Sequence, residues 1–215
     1  MPIEFAIAYA STGSVLIPLM LSWLQLRRIY GVSAWLTTLL HISLAADLAA
    51  FGLSRSSTNT YPIVNGYLFA QFITLTLIYN KELPKYRLLI YSAALFLLFF
   101  LINLLFLQGP FVFNTHSNSI GSILFSLIIL CHFYVLFRDL PYTHIYQIPV
   151  VWISFAFLFY LSGTLILFLS NNLLVEHYSS AHRIVWIIHN LCNIIKNLLL
   201  GLALWFNYQN LKFSS

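Results

Sequence analysis

The stretch Leu88-Leu-Ile-Tyr-Ser-Ala-Ala-Leu-Phe-Leu-Leu-Phe-Phe-Leu-Ile-Asn-Leu-Leu-Phe-Leu107 contains no charged residue and a single side-chain amide, Asn103. A helix rises about 1.5 Å per residue and a bilayer's hydrocarbon core is about 30 Å thick, so about 20 apolar residues cross it. This segment has that length and no polar face to turn toward water. It predicts a membrane span.

Six further runs of the same kind lie on either side of it: 5–25, 31–52 and 61–79 before, 118–137, 148–170 and 182–206 after. Turn and charge signals separate them: Leu26-Arg-Arg28, Ser54 to Thr60, Asn80 to Arg87, Gln108-Gly-Pro110 with Asn114 to Asn118, Arg138-Asp-Leu-Pro141, and Asn171 to Ser180. The chain of 215 residues is 60% hydrophobic and only 7% charged, against roughly 25% charged in soluble domains. The expected fold is therefore all-α, a single seven-helix transmembrane bundle over residues 1–215, with no separate soluble domain. Met1-Pro-Ile-Glu4 lacks the basic region of a cleavable signal, so the first run is expected to remain as an anchor.

The net charge of +5 would suggest nucleic acid in a soluble protein, but here the basic residues mark topology, and no nucleic-acid partner is expected. Arg27, Arg28, Lys81, Lys85, Arg87, Arg138 and Lys212 flank one set of span ends, whereas only Arg55 and Arg183 flank the other. Lys and Arg are retained in the cytoplasm, which places the N-terminus outside and the C-terminus inside. Tyr61, Tyr79, Tyr142, Tyr146, Trp152, Trp186 and Trp205 fall near run ends and suit an interfacial aromatic belt. Cys131 and Cys192 both lie in apolar runs and read as buried thiols.

The seventh run carries the informative polar pattern. Trp186, His189, Asn190, Asn193, Lys196 and Asn197 recur at spacings of three and four, which puts them on one helical stripe. A lysine facing lipid at mid-helix costs about 2.5–3.5 kcal/mol, so the stripe should face the bundle interior or a cavity. Two roles for Lys196 fit equally: a packing lysine bonded to helix carbonyls, or a ligand-binding or proton-responsive group. Asp47 is the only carboxylate inside a run, and by depth it should lie nearer His189 than Lys196; an Asp47–His189 contact would favour the charged imidazole, and a place near water at the outer interface fits Asp47 equally. Gln71 in the third run, Tyr160 in the sixth, and Asn65, Thr74, Asn103, Ser162, Gly163 and Thr164 are either cavity lining or interhelical packing groups. His41 and His132 stand alone on apolar faces. No paired ligand spacing points to a metal, no nucleophile-and-base motif points to an enzyme, and no cofactor is expected.

A lysine in the seventh of seven spans invites comparison with the retinal-binding rhodopsins, which would use Lys196. That pattern has an acid four residues before the lysine, where this chain has Cys192, and an acidic counterion in the third span, where it has Gln71. The sugar-transporting SWEET family has a similar length and a 3+1+3 plan, faintly echoed by Gly13-Ser-Val-Leu16 and Gly121-Ser-Ile-Leu124, but no Pro-Gln pair occurs here. Over the second half of the chain, Asn118-Ser-Ile-Gly-Ser-Ile-Leu124 to Phe137, Phe157-Leu-Phe-Tyr-Leu-Ser-Gly-Thr-Leu-Ile-Leu-Phe168 and Trp186-Ile-Ile-His-Asn-Leu-Cys-Asn-Ile-Ile-Lys-Asn197 resemble a group of small bacterial seven-helix membrane proteins. Some members of that group are encoded beside sensor histidine kinases. The resemblance implies a multi-pass protein of the bacterial cytoplasmic membrane that senses a small ligand in the helix bundle and signals through a cytoplasmic partner such as a histidine kinase. The group carries carboxylates in the third and fifth spans, where this chain has Gln71 and Gly121-Ser122. A small transporter or channel using the same polar stripe is the alternative.

Overall fold

In hydrocarbon every backbone N–H and C=O must be bonded within the segment, so apolar runs of this length become helices. The computed structural model describes residues 3–26, 31–139, 145–177 and 179–213, and these are helical almost throughout, with no strand among them. The α-helices are α1 (Ile3–Ser14), α2 (Leu16–Trp23), α3 (Val32–Arg55), α4 (Tyr61–Glu82), α5 (Arg87–Ile102), α6 (Thr115–Asp139), α7 (Pro149–His177) and α8 (Ser179–Phe213). Seven segments are long and apolar enough to cross a membrane: α1 with α2 forms the first, and α3 to α8 supply the others. The chain is a multi-pass membrane protein.

Local chemistry sets several of the ends. Pro18 has no N–H to offer Ser14, four residues earlier, and the first span breaks there into α1 and α2. Pro62 and Pro149 sit in the opening turns of α4 and α7, where no N–H partner exists to be lost. α5 continues into a π-turn at Asn103–Leu107, whose first carbonyl accepts from the Gln108 amide at 2.9 Å. Gly109 then reverses the chain with φ of 82°.

The bundle closes on itself. α8 packs against α7 and against both α1 and α2; α6 packs on α7, α3 on α2 and α4, and α5 on α4 and α6. Apolar side chains such as Leu88, Leu95, Leu105 and Phe106 face outward along the α5 span, as a lipid-facing surface requires. Inside, the Phe72 ring stacks on Phe125 at 5.2 Å and meets Phe96 edge-on at 5.2 Å. Gly121 leaves room for this cluster, since a Cβ there would lie 2.6 Å from both Phe72 and Phe96.

Successive spans alternate in direction and define two ends. Glu4 and Arg183 approach to 3.8 Å at the N-terminal end, whereas Arg138 bonds Tyr86 and Asn210 bonds the Gln147 carbonyl at the other. Arg55 and Arg183 belong to the first end, and Lys81, Lys85, Arg87, Arg138 and Lys212 to the second. Arg27, Arg28 and Tyr142 lie outside the described residues.

Two sequence expectations need correction. The connection expected from Asn171 to Ser180 is largely helical, because α7 runs to His177 and α8 starts at Ser179. The aromatic belt loses two members, which turn inward. Tyr79 is fully buried, its hydroxyl 2.9 Å from Ser154 Oγ, and Trp186 packs against His189 with centroids 4.8 Å apart. Tyr146 and Trp205 do face outward.

Candidate functional site

Serine, asparagine and glutamine in a span need partners, and here they join the first and seventh spans. Asn193 Nδ2 donates to Ser11 Oγ at 2.9 Å and Asn197 Nδ2 to Ser14 Oγ at 2.8 Å. Farther along, Asn207 Nδ2 donates to Gln25 Oε1 at 2.7 Å and Gln25 Nε2 to the Leu204 carbonyl at 3.0 Å. The order of these pairs shows α1–α2 and α8 running in parallel.

Above Asn197 a cavity of about 150 Å³ lies among α1, α3, α4, α7 and α8, in the half of the bundle nearer the N-terminal end. An apolar cavity of about that volume accommodates benzene. Asp47 and Ser43 of α3, Tyr67 of α4, Tyr160 and Phe168 of α7, Ser11 of α1, and Trp186, His189, Asn190 and Asn193 of α8 all line it, together with Phe113 from the α5–α6 connection. Five of the expected site residues thus share one space: Asp47, Tyr160, His189, Asn190 and Asn193.

Lys196 lies directly below. It is 2% exposed, its Nζ donates to Tyr67 Oη at 3.3 Å, and it sits 4.4 Å from the centre of the Tyr160 ring. No carboxylate reaches it within ion-pair distance among the described residues. Its ammonium and the Asp47 carboxylate are nevertheless within electrostatic reach of each other. The expected Asp47–His189 contact is not formed: no hydrogen bond or ion pair joins them among the described residues. His189 is enclosed instead by Trp186, Tyr160 and Phe168, with its Nδ1 buried and unbonded. Asp47 and His189 line the same cavity, but the rings rather than the carboxylate surround the imidazole.

Besides Lys196, two expected residues lie outside the cavity. Asn197, 2% exposed, is bonded to Ser14 and holds α1 to α8. Gln71 is fully buried, both its amide atoms without a partner among the described residues, one turn along α4 from Tyr67.

The other polar residues of the spans serve packing. Asn65 Nδ2 donates to the Val112 carbonyl at 2.8 Å and to Pro110 at 3.3 Å, while its Oδ1 accepts from the Asn114 amide at 3.1 Å. Asn103 bonds Asn114, Gln108 and Ser117. Together they fix the α5–α6 connection and so hold Phe113 over the cavity. His132 and Tyr79 meet on Ser154 in the opposite half of the bundle, and His41, on an exposed face, accepts from Trp23 Nε1 at 3.1 Å.

Sequence reasoning missed Ser11, Ser43, Tyr67, Phe113 and Phe168. The spacing of Ser11 and Ser14, three apart, against Asn193 and Asn197, four apart, was a usable signal for the first two helices' pairing. Tyr67 carried one too, since Val64, Tyr67, Leu68 and Gln71 follow the helical period on α4. Seven candidate spans lie among the described residues, but no family model, curated protein or solved structure matches the chain, so the site stands on its own chemistry.

Proposed function

We propose that this protein is a receptor-like membrane module that takes a small polar molecule into the cavity beneath Trp186 and passes the resulting change to a cytoplasmic partner. The carrying observation is a benzene-scale space whose wall holds a carboxylate, Asp47, that has no hydrogen-bond or ion-pair partner among the described residues. A carboxylate is costly to leave unmet in a bundle interior, and a polar guest meets it.

The positive-inside rule supports an outside N-terminus, so the cavity faces the exterior and the basic end faces the cytoplasm. The resemblance to bacterial seven-helix proteins supports a bacterial cytoplasmic membrane and a histidine kinase as the class of partner. The cavity is lined from five helices, α1, α3, α4, α7 and α8. A guest that binds one arrangement of these better than another shifts the balance between them.

The test is a thermal-stability screen of the purified chain in lipid nanodiscs against small neutral, cationic, anionic and zwitterionic solutes. At least one should raise the melting temperature saturably, and the effect should vanish in Ala46→Phe, which fills the cavity without removing a polar group. The same solute should not accumulate in proteoliposomes above the level of empty vesicles. Accumulation would assign a carrier instead, and a screen with no hit would remove the receptor reading.

A further inference from the structure

The direction of the hydrogen bonds around the cavity specifies what can occupy it. A lysine ammonium only donates, so in the Lys196–Tyr67 bond the tyrosine oxygen accepts at 3.3 Å. Its own O–H proton is then left to point elsewhere, and Tyr67 lines the cavity. Ser11 is in the same position, because its Oγ accepts from Asn193 Nδ2 at 2.9 Å and its proton is likewise free. The Tyr160 hydroxyl has no protein hydrogen bond among the described residues, and the ring below it is faced by Lys196 at 4.4 Å. Three hydroxyl donors, backed by a buried cation, therefore border the space. Such a set suits a carboxylate.

Asp47 supplies the opposite character. It lines the same space, makes no hydrogen bond or ion pair with the protein among the described residues, and lies within electrostatic reach of both Lys196 and Tyr160. A carboxylate is an acceptor only and suits an ammonium. Lys196 cannot fill that role while committed to Tyr67 and the Tyr160 face. The cavity thus has a carboxylate on the α3 wall and hydroxyl donors backed by a buried cation on the α1, α4 and α7 walls, opposite charges that balance each other. A simple cation would meet the repulsion of Lys196, and a simple anion that of Asp47. A molecule carrying both charges meets neither.

We propose that the cavity binds a small zwitterionic amino acid, with its ammonium on Asp47 and its carboxylate on the hydroxyls of Tyr67, Tyr160 and Ser11. The volume of about 150 Å³ limits it to compact side chains. Trp186, Phe113 and Phe168 would enclose the side chain, and His189 and Asn190 would offer the remaining polar contacts. The assignment rests on the receptor reading above and names its ligand class.

Isothermal titration calorimetry on the full chain in nanodiscs tests it with glycine, L-alanine and L-proline as probes. Isopropylamine, which lacks the carboxylate of alanine, and isobutyrate, which lacks its amine, serve as matched controls. At least one amino acid should bind saturably, and each control should bind at least about tenfold more weakly than alanine. Asp47→Asn should weaken amino-acid binding about tenfold or more and strengthen that of isobutyrate, whose repulsion by Asp47 it removes. Tyr67→Phe should weaken both amino acid and isobutyrate and spare isopropylamine, a split that misfolding cannot produce. Both variants should elute as the wild type does on size exclusion. If isopropylamine or isobutyrate binds as tightly as alanine, the two-pole assignment is overturned. If no amino acid binds while another solute of the screen binds and is lost in Ala46→Phe, the ligand class fails and the receptor reading stands. If nothing in the screen binds, both fail.

Discussion

Lys196→Met separates a lysine that holds the bundle together from one that serves the cavity. A lysine at the centre of a spanning helix costs about 2.5–3.5 kcal/mol on insertion scales. Two interactions offset that here. A hydrogen bond from a charged donor contributes about 1.5–3 kcal/mol, and at 3.3 Å the Tyr67 bond belongs at the lower end. A desolvated cation over an aromatic face contributes about 2 kcal/mol, and Lys196 Nζ sits 4.4 Å from the Tyr160 centroid. Cost and offsets agree to within about 1 kcal/mol, so the ammonium is close to neutral for stability. Methionine keeps the volume and gains its own contacts with the two rings, worth about 0.3–1.5 kcal/mol. Lys196→Met should therefore melt within about 4 °C of the wild type in nanodiscs, since 1 kcal/mol moves a chain of this size by about 2–4 °C. Lys196→Ala should lose about 2–5 kcal/mol through the void it leaves. The decisive measurement is thermal unfolding of the three proteins followed by circular dichroism. A methionine variant that loses more than about 3 kcal/mol would refute the reasoning and place an ion pair, with Asp47 as its acid, where the geometry shows none.

Three further outcomes follow from other parts of the fold. In intact cells a membrane-impermeant maleimide should modify Ser57→Cys and leave Ser215→Cys untouched; the reverse pattern would invert the topology. Asn65→Ala should destabilise the protein by about 2–3 kcal/mol, the sum of its bonds to Val112, Pro110 and Asn114, measured by the same melt. A change below about 0.5 kcal/mol would show that water replaces it and that the connection over the cavity is not held from α4. Gly121→Ala should cost about 1–3 kcal/mol, because its methyl would press on two ring edges that neighbouring aromatics prevent from moving aside. A neutral result would mean that the phenylalanine cluster repacks.

Much of this arrangement was legible before any coordinates. Seven runs stood out because hydrocarbon demands length and low charge, and those are properties of sequence alone. The inward stripe of α8 was legible for a similar reason, since a lysine and three asparagines at helical spacing have nowhere else to go. Tyr79 and Trp186 were misread because proximity to a run's end gives depth but not rotation about the helix axis. Asn171 to Ser180 read as a loop from its polar residues, yet helical propensity is a weak prior and the chain stays helical to His177. Phe113 could not have been found, as its place over the cavity depends on bonds from Asn65, far away in sequence. Tyr67 looked like any aromatic in an apolar run until the reach of Lys196 gave it a role.

The first and seventh spans lie side by side, yet one is jointed at Pro18 and the other is a single helix of 35 residues. At about 1.5 Å per residue α8 is about 52 Å long, well beyond the roughly 30 Å of hydrocarbon it crosses. An unbroken rod of that length acts as a lever with its fulcrum in the membrane. From Lys196 to Asn210 it extends about 21 Å, so a tilt of about 5° would carry the far end sideways by about 2 Å, as far as a side chain moves in changing its hydrogen-bond partner. The span beside it is broken next to Pro18, the point at which it would bend if α8 tilted. On the proposed receptor reading, a small displacement at the cavity would arrive magnified at Asn210 and the Gln147 carbonyl it holds.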